Sequence, residues 1–314
     1  AGLPLRIVLR GTGMDAESGT VLRFDNSTTG AEGIRATGNN FVVQDLAVEN
    51  TSGDAIKAKD ADGVTFRRVR VEWTNGPDEN NGAYGLYPVG CRNVLIEDSE
   101  VRGASDAGVY VGQSENIIVR RNYVYENVAG IEIENSKFAD VYENNTTGNT
   151  GGILVFDLPD PPVQGGQAVR VFNNMIVANN EPNFAPAGNI VGNVPTGTGL
   201  MIMANDDIEA FGNTIKDNIS FGALIVSYYF VDPDIDKDTY DPVPEKIYIH
   251  DNDMSNNSND PQGAAVAVPG FFGQPVAILY DSSGVGTDYG LLVEYPEGLT
   301  EDQAICIVDN APES

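Results

Sequence analysis

The sequence is poor in the residues on which most site chemistry is built: among 314 residues there are two cysteines, one histidine, one tryptophan and only 18 Lys and Arg. Cys91 and Cys306 alone cannot supply a disulfide framework or a paired-cysteine metal site. The lone His250 leaves no basis for a multi-histidine metal site or a Ser-His-Asp triad, and it reads as a solvent-facing strand residue. The 46 Asp and Glu set the formal charge at −28. A field of that sign repels nucleic acid and anionic membrane. No stretch reaches the roughly 18 apolar residues that a membrane helix needs. The chain opens on AGLPLRIVLRGTG, inside strand-like sequence and without a charged-then-apolar leader, and is read as a processed product.

What is present is a repeat. A small residue opens a short apolar strand, a polar turn follows, and a second β-rich segment carries a recurrent Asn; GVYVGQSENIIVRRNYVYENVA (108–129) and GIEIENSKFADVYENNTTGNTG (130–151) are the clearest copies. Alternation such as Ile131 and Ile133 inward with Glu132 outward is the signature of strands with one buried face, and no helical periodicity intervenes. Such sequence predicts an all-β, right-handed parallel β-helix over residues 1–314 as one domain, of about ten coils. Loop insertions are expected at 157–167, 178–198 and 227–245, with a C-terminal cap or tail over 270–314. Asn122, Asn144, Asn174, Asn213 and Asn252 keep one phase and should stack at a corner, where a left-handed turn tolerates Asn.

If each opener sets the register, the residue two places on points outward. That gives a column of Arg35, Lys57, Tyr87, Tyr110, Glu132, Leu154, Met201, Leu224 and Ala265, and beside it Lys59, Val89, Gly112, Glu134, Phe156, Met203 and Val226. The early coils are cationic and aromatic, suited to sugar rings and carboxylates. The apolar later coils are expected either to lie under the insertions or to meet a partner. Charge is skewed in the same sense, with 13 basic against 17 acidic residues in 1–121 and 5 against 29 in the remainder.

Other patterns are weaker. Asp232, Asp234, Asp236 and Asp238 alternate in DPDIDKDTYD and could offer oxygens to Ca2+; no organic cofactor is indicated. Glu132 and Glu134 alternate on one strand, but no Asp is placed beside them, so elimination is favoured over glycoside hydrolysis. Cys91 and Cys306, about six coils and roughly 29 Å apart, should not pair.

Residues 81–122 (NGAYGLYPVGCRNVLIEDSEVRGASDAGVYVGQSENIIVRRN) resemble coils of mannuronan C5-epimerases and related pectate-lyase-like polyuronate enzymes. That family carries a Tyr-Gly-Phe-Asp-Pro-His motif at its active site. Tyr84, Gly85 and Pro88 match it, Leu86 stands for Phe, Tyr87 for Asp and Val89 for His, and Asp106 falls where the family has an acid in the following coil. The resemblance implies elimination or epimerisation of uronates; Val89 can be neither base nor proton donor, so the site would use an arrangement different from the family's, with Tyr84 or Tyr87 as acid or base, Lys57 neutralising the sugar carboxylate and Asp106 beside them, while Arg35, Lys59, Tyr110, Glu132 and Glu134 of the outward columns would bind substrate. The whole chain also resembles exported bacterial β-helix repeat proteins. That implies a secreted, periplasmic or lipid-anchored location and a second reading, a noncatalytic scaffold docking an exported partner protein through Met201 and Leu224.

Overall fold

The computed structural model describes residues 6–25, 27–28, 30–266, 278–280 and 305–312. Its strands fall into three rows that wind as a parallel β-helix. The first row is a nine-stranded sheet running from Ile34–Ala36 through Ile56–Lys59, Tyr84–Val89, Ala107–Gly112 and Ala129–Glu134 to Ile278–Tyr280. Every neighbouring pair is parallel, as in Val109↔Ile131↔Ile153. The second and third rows form one 18-stranded sheet because Phe41–Glu49 and Asp62–Glu72 run through the bend between them. Ile131, Ile133, Ile153 and Val155 fill the interior without exposure, which is the burial that the period-2 alternation demands.

The corner between the second and third rows is held by the expected Asn ladder. Asn122 Nδ2 donates to Asn144 Oδ1 at 2.9 Å, Asn144 to Asn174 at 3.0 Å, Asn174 to Asn213 at 2.9 Å and Asn213 to Asn252 at 2.8 Å. The residue before each member turns left-handed, as at Arg121 (φ 54°) and Glu143 (φ 55°). A second ladder, five residues further along each coil, joins Asn127, Asn149, Asn179, Asn218 and Asn257 at 2.9–3.2 Å. The Asn-x4-Asn spacing carries that signal in the sequence.

Each ladder amide satisfies groups that have no access to water. Asn144 Nδ2 also donates to Val119 O, and Asn144 Oδ1 accepts from the Asn122 backbone. Asn144→Ala strands those partners and is expected to cost about 2–4 kcal/mol, measurable as a lowered midpoint in denaturant unfolding.

The long connections after Phe156, Val177 and Val226 fold back over the outward face of the first row. They build a second apolar cluster in which Leu154, Phe156, Met201, Met203 and Leu224 pack with Val191, Val194, Tyr228 and Tyr240. Met201 and Leu224 are only 1% and 2% exposed. This corrects the partner-docking expectation, because the apolar column is already covered by the chain's own loops. The column also ends differently from its sequence reading: Leu279 pairs beside Leu224, whereas Ala265 lies in a short 3-10 turn, Gly263–Val266. Within 270–314, the described residues add one strand to each row, and the rest lies outside the described residues. Cys91 and Cys306 are both free thiols.

Candidate functional site

Strand register places Lys57 beside Tyr87 and Tyr110 beside Glu132 on the outward face. Tyr84, Tyr87 and Tyr110 form an aromatic trio with ring centroids 4.5–4.9 Å apart. Lys57 Nζ sits 4.3 Å from the Tyr87 ring centre and pairs with Asp54 at 3.0 Å. The Tyr110 hydroxyl donates to Glu134 at 2.5 Å, and Gln113 donates to the same carboxylate at 3.3 Å. Asp106, just ahead of the strand Ala107–Gly112, accepts from Asn189 Nδ2 at 3.1 Å and is hydrogen-bonded by the Tyr84 phenol.

The expected catalytic set Lys57, Tyr84, Tyr87 and Asp106 is therefore brought together, and Tyr110, Glu132 and Glu134 join it. Their setting differs from the expectation of an open path: Tyr110, Glu132 and Glu134 are 4%, 2% and 8% exposed, and Tyr110 belongs to the apolar cluster that Val191 and Val194 of the 178–198 loop help to build. The grouping also corrects the argument that no Asp stands near Glu132 and Glu134, since Asp106 reaches them from the preceding coil closely enough to raise the proton affinity of Glu132.

Burial of several acids in one place sets the electrostatics. Burial first, then the charge of Glu134, pushes Asp106 up to about 7 against the hydrogen bonds from Tyr84 and Asn189. Burial likewise raises Glu134 to about 7, opposed by the Tyr110 hydroxyl. Glu132 is held well above the usual carboxylate range by burial and by Asp106 and Glu134, and its Oε2 has no hydrogen-bond partner. The three phenols are pushed up by burial and by these carboxylates. They stay protonated at any ordinary pH, so they can donate a proton but not act as the resting base. Asp106 is poised to take one near neutrality.

The remaining expected site residues lie elsewhere. Arg35 and Lys59 are exposed on the first two coils of the same face, Arg35 with a loose pair to Glu32 at 3.8 Å. Asp232, Asp234, Asp236 and Asp238 are exposed and do not converge. Asp232 and Asp236 instead accept from the amides of Asp234 and Asp238 at 3.0 Å, and no group of three metal-ligating side chains is assembled among the described residues. His250 is 14% exposed rather than open to solvent. It stacks between Phe211 and Tyr248 and bonds Asp251 and Glu209. Much of the basic charge concentrated in 1–121 is taken up in ion pairs on the other sheet, such as Arg68 with Asp45 at 2.6 Å and Arg120 with Glu97 at 2.7 Å. Sequence reasoning missed Asn189, Asp54 and Gln113. Asn189 is 83 residues from Asp106, and nothing local marks such a contact.

The family described as "Right handed beta helix region" matches residues 79–240. No curated protein sequence matches the chain. Among solved structures, the A-module of the Azotobacter vinelandii mannuronan C-5 epimerase AlgE4 superposes with a TM-score of 0.55 at 18% identity, covering 82% of this chain and 74% of its own. The A-module of AlgE6 from the same organism gives 0.51 at 19% identity, over 81% and 71%. The periplasmic alginate epimerase AlgG gives 0.56 at 16% identity over 77% of this chain, which spans 47% of that protein. At these identities the likeness is one of fold.

Proposed function

The chain belongs to the right-handed β-helix family, and on that scaffold we propose an extracytoplasmic enzyme that takes an acidic polysaccharide and eliminates or epimerises its uronates. The observation that carries the reading is the enclosure of Asp106 with phenols on the first-row face: a carboxyl titrating near 7 and hydrogen-bonded to Tyr84, with Tyr87 and Lys57 adjoining. Three solved neighbours named as mannuronan or alginate epimerases support a polyuronate as the first substrate to try.

In this reading Asp106 removes the C5 proton of a uronate, and the sugar carboxylate that makes this proton acidic is met by Lys57, while the buried Glu134 raises the proton affinity of Asp106. In elimination the C5–H pair becomes the C4–C5 double bond, the C4–O bond breaks, and the departing oxygen takes a proton from the Tyr87 phenol. In epimerisation Asp106 keeps the proton it removed and the same carbanion takes a proton at C5 from the Tyr87 phenol on the opposite face, the two groups exchanging protons with solvent before the next turnover.

Incubation with alginate, pectate and glycosaminoglycans, followed by ultraviolet absorbance for unsaturated uronate and proton NMR for C5 configuration, tests the proposal. Lys57→Ala should lose most of the signal, since the carboxylate would then go unneutralised. The clustering of Asp106 with Glu132 and Glu134 also favours a second reading, glycoside hydrolysis by an acid and base pair. New reducing ends without unsaturation would identify it, and silence across the panel would remove both readings.

A further inference from the structure

Exposure along the outward face of the first row changes in one direction. Arg35 and Lys59 are exposed, Lys57, Tyr84 and Tyr87 are half-buried, and from Tyr110 and Glu132 onward the face is closed, with Leu154 and Met201 at 0% and 1% exposure. The closure is a built wall. Asn189 of the 178–198 loop is bonded to Asp106. Val194 packs so closely over Gly151 that a side chain there would meet it at 3.1 Å. The loop is braced from inside by Asn183, which donates to Val191 O at 2.9 Å and Val194 O at 3.1 Å, and it is tied to the preceding coil by Thr150 donating to Glu181 O at 2.9 Å. Behind it the 227–245 loop is anchored by the Tyr240 hydroxyl on Asp157 O at 2.6 Å.

We infer that the site is a blind-ended track: a polysaccharide enters over Arg35 and Lys57, its terminal residue stops at Tyr84 and Asp106 against the 178–198 wall, and the enzyme works on chain ends and not within chains. This rests on the proposed function for its chemistry and goes beyond it in substrate geometry. The open stretch spans the coils of Arg35, Lys57 and Tyr87, two strand spacings or about 10 Å, enough for a short end segment. A groove that served internal residues would need subsites on both sides of the reacting one. Here the far side is occupied by the protein's own apolar cluster.

The test uses the whole protein on polyuronate samples of equal mass but different mean chain length. Halving the chain length doubles the number of ends and should double the initial rate, with short products present from the first time point and solution viscosity almost unchanged. A rate independent of chain length with an early collapse of viscosity would overturn the inference while leaving the uronate chemistry standing. If no polyuronate is turned over, the proposed function fails, and the track is tested apart from catalysis by binding of oligouronates of increasing length to the Asp106→Asn variant. Affinity that stops rising once the open stretch is filled supports the blind end, and affinity that keeps rising, or no binding at all, overturns it.

Discussion

Asp106→Asn is expected to lower turnover of a uronate substrate by about 10²- to 10⁴-fold, the usual scale of a general base, with a melting temperature that matches the wild type near pH 4 and does not fall below it at pH 8. The substitution preserves the shape of the side chain and still offers an oxygen to Asn189 Nδ2 and to the Tyr84 phenol. It removes the carboxyl that faces Tyr84 and Asn189, leaving Glu134, which is held by the Tyr110 hydroxyl and also raised to about 7, outside the proposed proton transfer. The wild-type rate should accordingly climb as pH rises through about 7, where Asp106 ionises, and the residual rate of the variant should lack that limb. Initial rates by ultraviolet absorbance across pH 5–9 decide the matter: wild-type turnover in the Asp106→Asn variant would remove Asp106 from the chemistry and leave it as a packing residue under the 178–198 loop.

The repeat is legible because β-helix folding is nearly one-dimensional, each coil contacting its neighbours through the same positions. Gly108, Gly130 and Gly152 open successive coils, and Ile131 and Ile133 alternate with Glu132, so register follows from counting. The column running Lys57, Tyr87, Tyr110 and Glu132 comes out of that count and is the column in the structure. Counting fails where an insertion intervenes. The spacing of openers assigns Ala265 to the column, but the chain leaves the helix there and Leu279 takes the place. It fails more deeply for loops that fold back. Glu132 reads as solvent-facing because its neighbours on the strand point inward, yet it is 2% exposed, on a face over which loops from later in the chain fold back. Burial by a distant loop leaves no periodic trace, and neither does the Asn189–Asp106 bond, so the site's residues can be named from sequence while its closure and its raised proton affinities cannot. The basic bias of 1–121 misleads for a related reason: Arg68, Arg120 and Arg121 meet acids one coil away, 23 residues in sequence, which bulk charge does not reveal.

The buried acids also fix how stability should respond to pH. Asp106 and Glu134 have folded values near 7 against ordinary values of 3.8 and 4.5. Below about pH 4 both are neutral folded or unfolded and carry no ionic penalty. Between about pH 4 and 7 the unfolded chain gives up protons that the folded chain retains, so their contribution to stability is lost across that window and the deficit is constant above it. Asp45 and Asp98 act in the opposite sense, since hydrogen bonds from Arg68 and Arg121 hold them below the usual value, and their contribution is lost as pH falls below about 4. Thermal stability should therefore peak near pH 4–5 and decline toward pH 8. Glu132→Gln is the decisive variant. Its carboxyl is buried beside Asp106 and Glu134 with one oxygen unpartnered, so a neutral amide of the same shape should match the wild type at pH 4 and exceed it at pH 8. An unpaired buried charge costs on the order of 3–5 kcal/mol, and the gain should approach the lower end of that range, read as a rise of several degrees in melting temperature. A variant no more stable than wild type at pH 8 would mean that the acid cluster relaxes into water when it ionises, which requires the 178–198 loop to lift; in that case amide exchange in that loop should quicken over the same pH window.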